Sequence, residues 1–166
     1  MKPGEKNLKI LKDVMNSFNI KELSSFSTKE DGWFFILEVP CETLPLIKTK
    51  DIKNIPKRII SSSLNRIYQV CPELANEEIE IPKNFKTSLR YDFVMFKVYN
   101  HSIEKYKTFE IQGDGHYSPY CFGLANFVST ILSDTIKEEN GTIMIPFYKG
   151  INKEKFLFDI ISQEIS

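Results

Sequence analysis

Apolar positions recur at helical spacing in four stretches of the chain, and run together or alternate in the segments between them. Leu8, Leu11, Val14, Met15 and Phe18 form one stripe over residues 5–18, with Lys6, Lys9, Lys12 and Asp13 mostly off it, so the spacing predicts an amphipathic helix. Asp31-Gly32 marks a turn, and the aromatic and branched run Trp33–Val39, closed by Pro40, predicts a strand buried in part on both faces. Residues 41–56 read as an irregular, lysine-rich segment punctuated by Pro45 and Pro56. Asn54 can cap a helix there and Pro56 suits its first turn. Ile60, Leu64, Ile67, Tyr68 and Cys71 then mark the helix, and Pro72 ends it.

A short strand is expected near residues 78–81, before Pro82. In residues 88–99, Leu89, Tyr91, Phe93 and Met95 face one way. Val94, Phe96 and Val98 then make the second face apolar as well, which predicts a long central strand. Asn100-His101-Ser102 is a turn, and residues 104–112 complete an antiparallel hairpin. A Gly113-Asp114-Gly115 loop leads to a mostly buried helix over 120–136, carried by Cys121, Leu124, Val128, Ile131, Leu132 and Ile136. Asn140-Gly141 turns the chain into a strand at 142–148. Asn152 caps a last helix with Phe156, Ile160 and Ile161 inward. The expected order is α-β-α-β-β-β-α-β-α. Strands cluster and helices do not alternate strictly with them, so the expectation is one compact α+β domain over 1–166, with a largely antiparallel central sheet packed against helices.

Composition narrows the function. The 22 basic and 22 acidic residues cancel, which argues against a generic polyanion binder and makes nucleic acid an unlikely partner. The neutrality is uneven: residues 1–60 carry eleven bases and eight acids, residues 101–166 six bases and nine acids. Lys48, Lys50, Lys53, Lys57 and Arg58 against Asp51 form a basic run that reads as a solvated loop. Glu73, Glu77, Glu78 and Glu80 form an acidic run with no base among them. The charged N-terminal stretch is followed by no apolar run of signal-peptide length, and no stretch is apolar enough to span a membrane. Cys41, Cys71 and Cys121 are odd in number and form no C-x-x-C pair, so free thiols in a reducing cytoplasm are expected. His101 and His116 fit no ligand spacing, so neither a metal nor a cofactor is expected.

The most distinctive segment is Gly113-Asp114-Gly115-His116-Tyr117-Ser118-Pro119 with Tyr120 and Cys121 after it. A thiol near a helix start is activated by the dipole and free N–H groups. His116 could deprotonate Cys121, with Asp114 or Asp134 orienting the imidazole. The seven residues 113–119 resemble the histidine segment of phytochelatin synthases, papain-like transpeptidases with a G-x-G-H-[FY]-S-P stretch. That resemblance implies a cysteine nucleophile upstream, within Cys-Gly-Leu-Ala at a helix start, and a strand after the histidine. Here the upstream Cys41 lies in Val-Pro-Cys-Glu-Thr, Cys121-Phe122-Gly123-Leu124-Ala125 falls on the other side of His116, and a helix is expected next.

The favoured expectation is therefore a non-catalytic protein-binding module of the immunity-protein kind, which neutralises a toxic enzyme such as a nuclease. The binding residues would be Glu73, Glu77, Glu78, Glu80 and Asp114, with Tyr117 and Tyr120 as anchors against a basic partner. A cysteine-dependent hydrolase or transferase using Cys121, His116 and Asp114 is the alternative, and a small-molecule-binding domain with a pocket between sheet and helices is the third.

Overall fold

A computed structural model describes residues 3–28, 30–43, 55–81, 89–148 and 150–166. Helices α1 (Pro3–Ser17), α2 (Lys57–Val70), α3 (Leu124–Glu139) and α4 (Lys153–Ile165) accompany a five-stranded mixed sheet in the order β1-β2-β3-β4-β5. The strands are β1 (Lys21–Glu22), β2 (Gly32–Pro40), β3 (Arg90–Tyr99), β4 (Ser102–Gln112) and β5 (Ile143–Pro146). The α+β class is as the pattern of elements predicts. Packing divides the chain into two compact units, Met1–Val39 with Tyr91–Phe109 and Lys149–Ser166, and Pro40–Arg90 with Glu110–Tyr148.

In the first unit α1 packs on α4. Leu11, Val14 and Met15 of α1 and Leu157 and Ile161 of α4 are buried, as are Phe93 to Phe96 of β3, so the strand is covered on both faces. Phe156 and Ile160, expected inward, are only half-buried, because Leu157 takes the central place on α4. β3 and β4 are antiparallel, with Phe93 opposite Phe109 and their rings stacked at 4.5 Å. Asn100 and His101 both have positive φ, the backbone that closes a two-residue hairpin with the native strand twist, and Asp31 Oδ1 accepts from the Asn100 N–H at 2.9 Å. Asn19, also at positive φ, ends α1: the Ile20 and Asn19 N–H groups return to the carbonyls of Met15 and Asn16. Asn152 caps α4 by accepting from the Lys155 N–H at 3.2 Å, as its position predicts.

In the second unit α2 packs on α3. Ile59 and Ile67 of α2 and Phe127, Val128, Ile131, Leu132 and Ile136 of α3 are buried, and Ser63 Oγ donates to Thr135 Oγ1 at 3.0 Å inside that contact.

Three further features differ from the sequence expectation. No strand forms at 78–81: a 3-10 turn spans Pro72–Asn76, and Glu77 is extended, but residues 78–81 belong to no ladder. Glutamate is a poor strand former, and an extended segment needs a partner to become a strand. β1 is only two residues long, too short for any periodicity, and pairs parallel with Phe34 and Phe35 of β2. α3 begins at Leu124 rather than 120, because Gly123 adopts φ +90° and breaks the turn preceding it. Asn54, Asp51, Lys48, Lys50, Lys53, Pro45 and Pro82 lie outside the described residues. α2 itself starts at Lys57, one residue after Pro56.

Candidate functional site

The inner stripe of α3 is not wholly apolar. Asp134 and Lys137, one turn apart and flanked by Ile131, Leu132 and Ile136, are 1% and 4% exposed. The helix can place them there because its C-terminus is firmly closed. Gly141 at φ +90° lets the Thr142 and Gly141 N–H groups bond back to the carbonyls of Lys137 and Glu138, the close that Asn140-Gly141 suggests in the sequence.

Two polar clusters follow from those side chains. The Lys137 ammonium donates to Glu110 Oε2 on β4 at 2.8 Å, a buried bond, and to the Arg90 carbonyl at 2.6 Å, a part-buried one. The Asp134 carboxylate meets the 3-10 turn Asp114–His116: its Oδ2 lies 2.7 Å from His116 Nδ1 and accepts from Gln112 Nε2 at 3.1 Å. Gln112 in turn accepts from the Tyr117 hydroxyl at 2.8 Å, so Tyr117, Gln112, Asp134 and His116 form one chain of hydrogen bonds. Asp134 Oδ1 is buried with no partner among the described residues. One donor atom each of Glu110, His116 and Asp134 lie within 4.8 Å of one another. The three come from a strand, a loop and a helix, which is why no local spacing betrays them.

Burial, reinforced by the Asp134 charge and by Tyr148, pushes the Tyr117 phenol up to about 12. A phenol held neutral in the folded state, against an ordinary value near 10 when unfolded, contributes stability that is complete below pH ~10 and lost as pH rises through about 12. The difference ultraviolet titration of wild type minus Tyr117→Phe is therefore expected to show one phenolate appearing near pH 12. A midpoint near 10 would contradict the burial of this hydroxyl.

The other expected site residues separate. The carboxylate on His116 Nδ1 is that of Asp134, while Asp114 is exposed on the 3-10 turn. Cys121 is exposed and lies outside α3, so the helix start expected to activate its thiol is not where it sits. Tyr117 is half-buried in the network just described, with its ring edge against Tyr148.

Tyr120 behaves differently. It is 77% exposed, and its hydroxyl donates to Glu73 Oε1 at 3.3 Å, the same oxygen that accepts from Cys71 Sγ at 2.9 Å. The charge and hydrogen bonding of Glu73 push the Tyr120 phenol up. The Glu73 hydrogen bond, with burial, does the same to the Cys71 thiol, so both stay protonated. Glu73, Glu77, Glu78 and Glu80 are all exposed, and none makes a salt bridge with another of the described residues. Phe122, 74% exposed, is missing from the sequence-based choice. Its ring lies over Gly115 so closely that a Cβ there would meet it at 2.9 Å. An open groove of about 500 Å³ is lined by Ile79 and Glu80 and by Leu124, Ala125, Val128 and Ser129 of α3. This groove borders a helix and an irregular segment, while a cleft of about 390 Å³ lined by Lys12 and Asn16 of α1, Lys21 and Glu22 of β1 and Phe35 of β2 lies between a helix and the sheet, where a small-molecule pocket is expected.

No family model, no curated protein and no solved structure matches this chain, so the site stands on its own geometry. Among the described residues no helix is long and apolar enough to cross a membrane.

Proposed function

We infer that the chain is a protein-binding module that presents the Glu73–Glu80 run and Tyr120, with Phe122 and Leu124 beside them, to a basic protein. An inhibitor that occupies the cationic cleft of an enzyme such as a nuclease has this requirement. The observation that carries the reading is the Tyr120–Glu73 hydrogen bond, which joins the acidic run to the exposed aromatic turn as one surface. Four neighbouring carboxylates with no salt bridge among the described residues repel one another when free and are relieved by a cationic partner. Tyrosine and phenylalanine supply contact area at low entropic cost, and Tyr is among the residue types enriched where an interface concentrates its binding energy.

The test measures affinity by calorimetry for purified basic nuclease domains, starting with the product of the adjoining reading frame. Tyr120→Ala is expected to cost about 2 kcal/mol or more, and Glu77→Lys/Glu78→Lys to slow association and remove its dependence on salt. Glu154→Lys, on the first turn of α4, serves as the charge control. Binding that Glu77→Lys/Glu78→Lys leaves unchanged, or weakens no more than Glu154→Lys does, rejects this face.

A further inference from the structure

The cluster beneath α3 takes no part in the acidic face, and its composition asks for a ligand. We propose that Glu110, His116 and Asp134 bind a divalent transition-metal ion of the zinc type. Their donor atoms, one from each residue, already lie within 4.8 Å of one another. Donors about 2.0–2.1 Å from a tetrahedral zinc stand roughly 3.3 Å apart, so closing on the ion asks for small side-chain movements and no change of backbone.

The independent sign is Asp134. Its carboxylate is 1% exposed, Oδ2 holds His116 and Gln112, and Oδ1 is buried without a partner. A buried charged oxygen left unpaired is costly, and folded proteins rarely tolerate one. A cation at the shared point gives it the missing partner. Gln112, held by the Tyr117 hydroxyl, then acts as the outer brace that keeps the carboxylate oriented.

The donor set selects the class of ion. Magnesium and calcium are held by many oxygens and by accumulated negative charge. Here an imidazole nitrogen is one of three protein donors among the described residues. The Lys137 ammonium, 2.8 Å from Glu110, offsets one of the two carboxylates. With His116 neutral, the local net charge is a single negative, too little for a hard cation. A metal that gains strongly from imidazole is favoured, with water completing its shell. Because the imidazole and both carboxylates must be deprotonated, affinity falls as the pH is lowered.

The experiment uses the full chain, stripped with chelator, titrated with zinc followed by thermal melting and with cobalt followed by visible absorption. Zinc is expected to raise the melting temperature, and cobalt to give d–d bands of a nitrogen–oxygen site with no near-ultraviolet sulfur-to-metal band. Asp134→Asn keeps the size and most hydrogen bonds. It is expected to weaken zinc by about 100-fold or more, beyond the 10–100-fold that loss of an outer brace costs. Gln112→Ala is expected to fall inside that range. If Asp134→Asn does not fold by circular dichroism, His116→Gln on the more exposed rim supplies the same comparison. Melting unmoved by millimolar zinc overturns the proposal, as does a cobalt spectrum marked by thiolate that Cys121→Ser removes. Zinc affinity equal to wild type in a folded Asp134→Asn or His116→Gln variant overturns it as well.

Discussion

Replacing Lys137 by methionine is expected to destabilise the protein by about 3–5 kcal/mol, the range found when one member of a buried ion pair is removed. The methionine fits the space along the helix, so the loss is electrostatic rather than steric. Glu110 is left buried without its ammonium, and the Arg90 carbonyl loses a donor at 2.6 Å. Adding Glu110→Gln removes the stranded charge and is expected to return more than half of the loss. The carbonyl of Arg90 still lacks the lysine donor in the double variant, so recovery is incomplete. Urea unfolding of the two single variants and the double variant measures the coupling directly. A double variant as unstable as Lys137→Met alone would show that the pair is not what Lys137 stabilises.

Phe93→Ala is expected to cost a similar amount, about 3–5 kcal/mol, by a different route. The side chain is fully buried and stacks face to face on its cross-strand partner Phe109 with an interplanar angle of 5°. Truncation removes the transfer energy of the ring and leaves a void beside Phe109 that β3, covered on both faces, cannot readily close. Phe93→Leu, which keeps much of the volume, is expected to lose well under half as much. Equal losses for the two variants, measured by the same urea titration, would argue against cavity formation.

The legible parts of the sequence were those with local causes. The Asn100-His101 hairpin, the Asn152 cap and the Asn140-Gly141 close of α3 each depend on a residue type suited to one backbone geometry, and the structure uses all three so. What failed had causes outside the segment. The apolar periodicity through Cys121 suggested a helix from 120, but Gly123 at positive φ sets the start later. The 78–81 segment lacked nothing but a partner strand. At the buried cluster, Asp134 is readable as a candidate orienter of His116, whereas the sequence reading picks out neither Glu110 nor Lys137. A signal was present: Asp134 and Lys137 stand among Ile131, Leu132 and Ile136 on α3, where a charged residue has to find a partner. Which strand supplies that partner is a property of the fold and is not written near the helix.

Each of the two packing units is stitched from pieces far apart in the chain. During synthesis the apolar stripe of α1 therefore waits, uncovered by its partner helix, until residues 153–165 have left the ribosome. Closing contacts of such long sequence separation is slow. A nascent chain arrested before α4 would carry Leu11, Val14 and Met15 without Leu157 and Ile161 and would be a ready client for chaperones or proteases. The cell thus meets a form of this protein with an open apolar flank each time it is made.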